Sequence, residues 1–207
     1  MKIIKIKEDI TSEIANSFKN SIAIDTEATG LQIPERDKLS LIQICDEKSN
    51  VFIIQPNKKN YRAPNLISVL ENQNILKIGH FLRFDKSALE FFLKCKIRNI
   101  FDTKIASKIV RTYTDAHGLK NLVQEFCNKS IDKRQGSSDW NKDINELTDK
   151  QLEYAAKDVL YLHKIKAELE KMLLREQRQD VFKKCLDFLD TRVELDQKGF
   201  KEDIFQH

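Results

Sequence analysis

The chain has 207 residues, 41% of them hydrophobic and 33% charged, enough to bury one sizeable core with an ordinary soluble surface. Its formal charge of +4 falls short of the dense basic blocks of proteins that live on duplex nucleic acid. A polyanionic ligand held at modest strength fits that surplus, and a plain solvated surface fits it nearly as well.

In chain order, alternating Lys and Ile over Ile3 to Ile6 predict an edge strand, followed by a helix over Thr11 to Phe18. Nothing in this opening segment forms a signal-peptide core. Strands are expected at Ser21 to Asp25, Leu39 to Cys45 and Val51 to Ile54, whose close spacing favours antiparallel pairing. A helix near Asn65 to Glu71 leads to a strand at Ile75 to Ile78, and a helix at Asp85 to Leu93 leads to a short strand near Ile97 to Phe101. The remainder reads as helical, with His117 to Phe126 and a long stretch from Thr148 to about Leu189 that breaks near Arg175 to Asp180. This alternation implies an α/β fold, a mixed sheet of five to six strands flanked by helices with a helical C-terminal part.

Within that frame, Asp25 and Glu27 stand one pleat apart at the end of the apolar run Ile22-Ala23-Ile24, so both point to one side of the strand. Like charges on one side of a strand repel in a dry site unless a cation lies between them, and a hard divalent metal suits oxygen ligands. The competing view is a strand end whose acids face water. Asp85 begins an apolar helical pattern, where an acid also serves as a cap or dipole partner. Tyr154 and Asp158 lie four residues apart on one helical face among Leu152, Val159 and Leu162. A Tyr there is equally a core aromatic with a wet hydroxyl, but an acid on so apolar a face needs a partner.

These three motifs, Asp25-x-Glu27, Asp85 and Tyr154-x-x-x-Asp158, resemble in kind and order the DEDDy branch of the DnaQ-like 3′-5′ exonucleases, within it the ribonuclease D group. Leu39-Ser40-Leu41-Ile42-Gln43-Ile44, Phe101-Asp102-Thr103-Lys104-Ile105-Ala106-Ser107 and Ser138-Asp139-Trp140 look like further landmarks of that group. One departure is His80-Phe81-Leu82-Arg83-Phe84-Asp85, where ribonuclease D typically has Asn after the His. With Arg111 to Asp115 and His117-Gly118-Leu119-Lys120, this version is similar to the nanoRNase C subgroup, compact relatives that degrade very short RNA.

The resemblance implies a ribonuclease-H-like single domain over residues 1–207, with a catalytic core at about 20–170 and a helical extension at about 171–207. It implies that Asp25, Glu27, Asp85 and Asp158 share one cleft and hold two divalent ions, Mg²⁺ or Mn²⁺, while Tyr154 orients or helps deprotonate the attacking water. The expected reaction is 3′-5′ hydrolysis of short single-stranded RNA, dinucleotides foremost, to nucleoside 5′-monophosphates. Ribonuclease D-like trimming of tRNA or other RNA ends is the nearest alternative, with a DNA-directed exonuclease behind it. An inactive nucleic-acid-binding module is the alternative of another class, disfavoured because all five motif residues are present. The extra C-terminal helical domains of ribonuclease D are expected to be lacking here, which would leave less to grip long RNA.

Substrate contacts are less sharply marked. By the resemblance Leu31 is a wedge between the last two bases, and a loop Leu closing over its own core is the alternative. His80 and Arg83 could meet phosphate or sugar, although His80 also fits a satisfied polar group at a strand end. Tyr113, His117 and Lys120, at the start of a helix, form a candidate 5′-phosphate pocket or an ordinary loop with a capping Gly. Gln135, Ser137 and Ser138 are a second polar candidate, and Trp140 reads as packing. Cys45, Cys95, Cys127 and Cys185 lack metal-ligand spacing and read as reduced thiols. These features predict a cytoplasmic enzyme with no membrane contact, and the subgroup resemblance adds a homo-oligomer, an octamer.

Overall fold

The computed structural model describes residues 1–30, 32, 37–131, 138–200, 202, 204 and 205. Six strands form one mixed sheet: β1 (Lys2–Lys7), β2 (Ser21–Ala28), β3 (Leu39–Asp46), β4 (Asn50–Gln55), β5 (Leu76–Gly79) and β6 (Ile100–Asp102). Their order is β1-β4-β3-β2-β5-β6, which puts β2 in the middle between an antiparallel β3 and a parallel β5. The closely spaced strands β2, β3 and β4 do pair antiparallel, as expected, while β1 joins β4 in parallel at the edge.

Residue parity along the central strands decides which layer covers them. Ala23, Leu41, Cys45, Val51 and Ile53 face one core, shared with α4 (Thr103–Val110), α5 (Leu119–Cys127), α6 (Asp149–Leu160) and α7 (Leu162–Arg175). Ile22, Ile24, Ile42, Ile44, Phe52 and Ile54 face the other, shared with α2 (Pro64–Glu71) and α3 (Arg83–Leu93). The short α1 (Ser12–Ser17), capped by Thr11, packs on α2. Both faces of the middle strands are therefore buried, and any polar side chain on them needs a reason.

Two boundaries differ from the sequence reading. β2 runs to Ala28 because its backbone goes on pairing with β3 through Asp25↔Gln43 and Glu27↔Leu41, so the carboxylates sit within the strand rather than past its end. The long C-terminal helix breaks twice, at Tyr161 as well as between α7 and α8 (Gln179–Gln197). The first break lies at a residue with φ −97° and ψ −5° that no Pro or Gly announces.

Beyond β5 the chain turns sharply into α3. A Cβ on Gly79 would come within 2.1 Å of the Leu82 side chain, so any larger residue would force buried Leu82 to move. Phe81 pays for the turn with φ +67°, a left-handed conformation unusual for a bulky residue. Buried Asp102 holds the turn, accepting the backbone N–H groups of Phe81 at 3.2 Å and Leu82 at 2.7 Å while capping α4 through those of Lys104 and Ile105. On the far side of α3, α8 is tied on by charge: Arg83 grips Asp196 with two hydrogen bonds of 2.6 Å, and buried Lys86 pairs with both Glu90 and Asp190. Turn and clamp together fix the first turn of α3, where Asp85 sits.

Candidate active site

Asp25 and Glu27 leave the middle strand on the α6 face, as parity requires. The start of α6 is set by a capping box, Thr148 accepting from the Gln151 backbone N–H at 3.3 Å while Gln151 Oε1 accepts from the Thr148 N–H at 3.0 Å. That fixes the helix phase, and fully buried Ala155 and Ala156 let α6 approach β2 and β3 closely. Tyr154 and Asp158 thereby turn toward the strand carboxylates. One oxygen from each of Asp25, Glu27 and Asp158 lies within 4.8 Å of the others, although Asp158 is more than a hundred residues away in sequence.

Tyr154 completes this cluster. Its ring packs against Trp140 at 6.0 Å between centroids, tilted by 30°, and its hydroxyl donates to Asp158. Burial, then the charges of Asp158, Glu27 and Asp25, push the phenol well above its ordinary value, so the hydroxyl remains a donor through the physiological range. Trp140 is 3% exposed, as the packing reading expects, and the ring it supports is the site's own.

Asp85 is not a member of the trio. It accepts a 2.6 Å hydrogen bond from Thr26 Oγ1, and Thr26, between the two strand acids, projects to the opposite face of β2. Burial is the main reason its carboxyl is pushed up to about 7, with the charge of Asp102 acting in the same direction. A folded pKa above the unfolded one makes stability greatest below the ordinary carboxylate range and lost as pH rises through the folded value. We therefore expect the metal-free protein to melt at progressively lower temperature from about pH 4 to pH 7. Thermal melts of Asp85→Asn in chelator should show a flatter profile over that window, and an unchanged profile would refute the assignment.

Several of the candidate substrate residues have partners within the protein. His80 Nδ1 lies 2.9 Å from Thr103 Oγ1, and because that hydroxyl donates to the Gly79 carbonyl, the imidazole is the donor at this contact. Arg83 serves α8 through Asp196. Tyr113 is exposed and donates to Glu125, which also pairs with the buried Arg111. His117 Nδ1 is 2.9 Å from Ser107 Oγ, and its pKa is lowered by burial and by the nearby Arg111 and Lys108 charges. Lys120 is exposed in the first turn of α5, whose cap, Gly118, makes no side-chain hydrogen bond. Ser138 is half-buried, whereas Leu31, Gln135 and Ser137 lie outside the described residues.

The donor set decides what the trio can hold. Three carboxylate oxygens with no nitrogen or sulfur ligand among them match a hard cation of the Mg²⁺ or Mn²⁺ kind rather than zinc. The model of the family described as 3′-5′ exonuclease matches residues 2–174, a range that contains this site. The chain belongs to this 3′-5′ exonuclease family.

Among solved structures this exonuclease is similar to Brucella melitensis NrnC with bound Mg²⁺, at 43% identity and TM-score 0.91 over the whole of both chains. It is equally similar to Brucella melitensis NrnC bound to pGG, at 43% identity and TM-score 0.92, covering 100% of this chain and 99% of that one. Escherichia coli RNase D, at 24% identity and TM-score 0.80 over 93% of this chain and 51% of that one, shares the fold. Among curated relatives, Haemophilus influenzae ribonuclease D is 34% identical over 76% of the chain and Aquifex aeolicus DNA polymerase I 33% identical over 72%. The chain spans 38% and 24% of those two proteins' lengths. The ribonuclease-H-like fold and the ribonuclease D-like, NrnC-type family resemblance are thus correct. The four cysteines are free, and no helix among the described residues is long and apolar enough to cross a membrane.

Proposed function

We propose that the protein is a divalent-metal-dependent 3′-5′ exoribonuclease that hydrolyses short RNA, dinucleotides foremost, to nucleoside 5′-monophosphates. The observation that carries this reading is the convergence of Asp25, Glu27 and Asp158 with the Tyr154 hydroxyl bonded to the last of them. Likeness to an NrnC that holds Mg²⁺ and to one bound to pGG supports both the cofactor class and the short substrate.

Asp25, Glu27 and Asp158 would hold one ion, with Asp85 the candidate for a second. Such ions, when bound, would make water a better nucleophile near neutral pH and supply charge to stabilise the departing 3′ oxygen. The chain's own residues do the aiming. Tyr154, protonated and fixed between Trp140 and Asp158, orients the attacking water by hydrogen bonding. Thr26 holds Asp85 in place, and the turn built by Gly79 and Asp102 sets the helix that carries it.

At the other end of the substrate, the uncapped amides at the start of α5, with His117, Lys120 and Tyr113, are our candidate 5′-phosphate pocket. Leu31, Ser138, Gln135 and Ser137 stay candidates for base and sugar contacts, as do His80 and Arg83 if substrate draws them from their present partners. The same reading places the enzyme in the cytoplasm as a homo-octamer, which light scattering of the purified protein measures directly.

Binding energy from a phosphate held two nucleotides from the scissile end also positions the reacting bond. A 5′-phosphorylated RNA dinucleotide should therefore be cleaved faster than a heptamer of the same composition under single-turnover conditions, and Lys120→Ala should narrow the gap. Equal rate constants for the two lengths would return the enzyme to general ribonuclease D-like trimming. Competition with a tRNA precursor and with single-stranded DNA separates the remaining alternatives.

A further inference from the structure

Gln43 has been assigned no role so far, yet it is fully buried and neither its side-chain nitrogen nor its side-chain oxygen has a hydrogen-bond partner. It stands in β3 between Ile42 and Ile44, and the register places it directly opposite Asp25 of β2. Directly opposed residues of an antiparallel pair share a face and bring their Cβ atoms to about 5 Å. Gln43 thus belongs to the α6 side of the sheet, with Leu41 and Cys45 as its same-face neighbours along β3.

An unpartnered amide in a dry interior is costly, and Met or Leu would fill the position without that cost. Stability alone does not account for Gln43, whereas its place beside the first strand carboxylate does. An amide nitrogen is neutral, so it can donate to a carboxylate without competing with a cation for it, as a lysine or arginine would.

Resting on the metal-binding reading above, we propose that Gln43 is a positioning residue for Asp25, its side-chain N–H donating to that carboxylate when Asp25, Glu27 and Asp158 hold a divalent cation. It acts through Asp25 and touches neither substrate nor the reacting atoms. Groups of this kind orient a ligand and raise its basicity, and their loss typically weakens metal affinity or activity by about 10- to 100-fold.

The test is Gln43→Met, which nearly conserves volume and removes both polar atoms, with Gln43→Leu as a second variant should the first fail to fold. Mn²⁺ affinity is measured by calorimetry and the melting temperature in chelator, each against wild type. We expect Mn²⁺ affinity to fall about 10- to 100-fold while the metal-free melting temperature holds or rises. Wild-type Mn²⁺ affinity in both variants would overturn the role of Gln43 while leaving the metal reading intact. A lower melting temperature with unchanged affinity would make Gln43 structural and overturn it likewise. A wild-type protein that binds no Mn²⁺ would remove the metal reading itself, and this inference with it.

Discussion

Asp158→Asn is expected to reduce hydrolysis to the assay background at saturating Mn²⁺ while leaving the metal-free fold at least as stable as wild type. The two halves of that result have one cause. Asp25, Glu27 and Asp158 bring oxygens within 4.8 Å of one another, and without a cation their charges repel one another. Replacing one carboxylate by an isosteric amide relieves the repulsion, so the melting temperature in chelator should hold or rise, as it commonly does when a strained functional site is disarmed. The same change deletes a ligand. Adding Mn²⁺ should therefore raise the wild-type melting temperature by linkage, and raise that of the variant much less. Asp25→Asn should behave alike, because it contributes to the same cluster from the strand side. Activity comparable to wild type would sink the metal assignment, and a marked loss of stability in chelator would show that Asp158 is held by attraction rather than tolerated against repulsion.

The parts of this site that were legible from sequence are those set by local periodicity. Two acids separated by one residue after Ile22-Ala23-Ile24 must share a face of a strand, and Tyr154 and Asp158 must share a face of a helix, whatever the rest of the chain does. The order of these motifs then made the family resemblance specific. Pairings between distant segments were out of reach. Arg83 reads as a residue beside the second motif that could meet phosphate or sugar, and only the fold reveals Asp196, 113 residues on, accepting from its Nε and Nη2. Asp85 reads as a fourth member of the carboxylate cluster, and only the fold reveals Thr26, 59 residues earlier, as the hydroxyl that donates to it. The polar residue that sequence could have flagged is Gln43, because an amide between two isoleucines in a buried strand breaks the apolar pattern. The break at Tyr161 left no such mark, since no Pro, Gly or cap residue accompanies it.

Tyr154→Phe separates orientation from metal binding. The substitution keeps the ring that packs 6.0 Å from Trp140 and removes only the hydroxyl that donates to Asp158. Loss of a positioned proton-handling group typically costs about 10²- to 10⁴-fold in the chemical step, and single-turnover cleavage of a dinucleotide should fall within that range. Mn²⁺ affinity should change little, because the three carboxylates stay in place. The pH profile distinguishes the two roles open to the hydroxyl. As a base it would need to ionise, but burial and three neighbouring carboxylates push its pKa above the ordinary value near 10. As an orienting group it works while protonated, its proton given to Asp158 and its oxygen accepting from the water, so the variant should keep the wild-type dependence of rate on pH with every value lowered in proportion. An alkaline rise present in the wild type and absent from Tyr154→Phe would instead mean that the phenolate takes the proton, and loss of Mn²⁺ binding in calorimetry would make the hydroxyl part of the cation site.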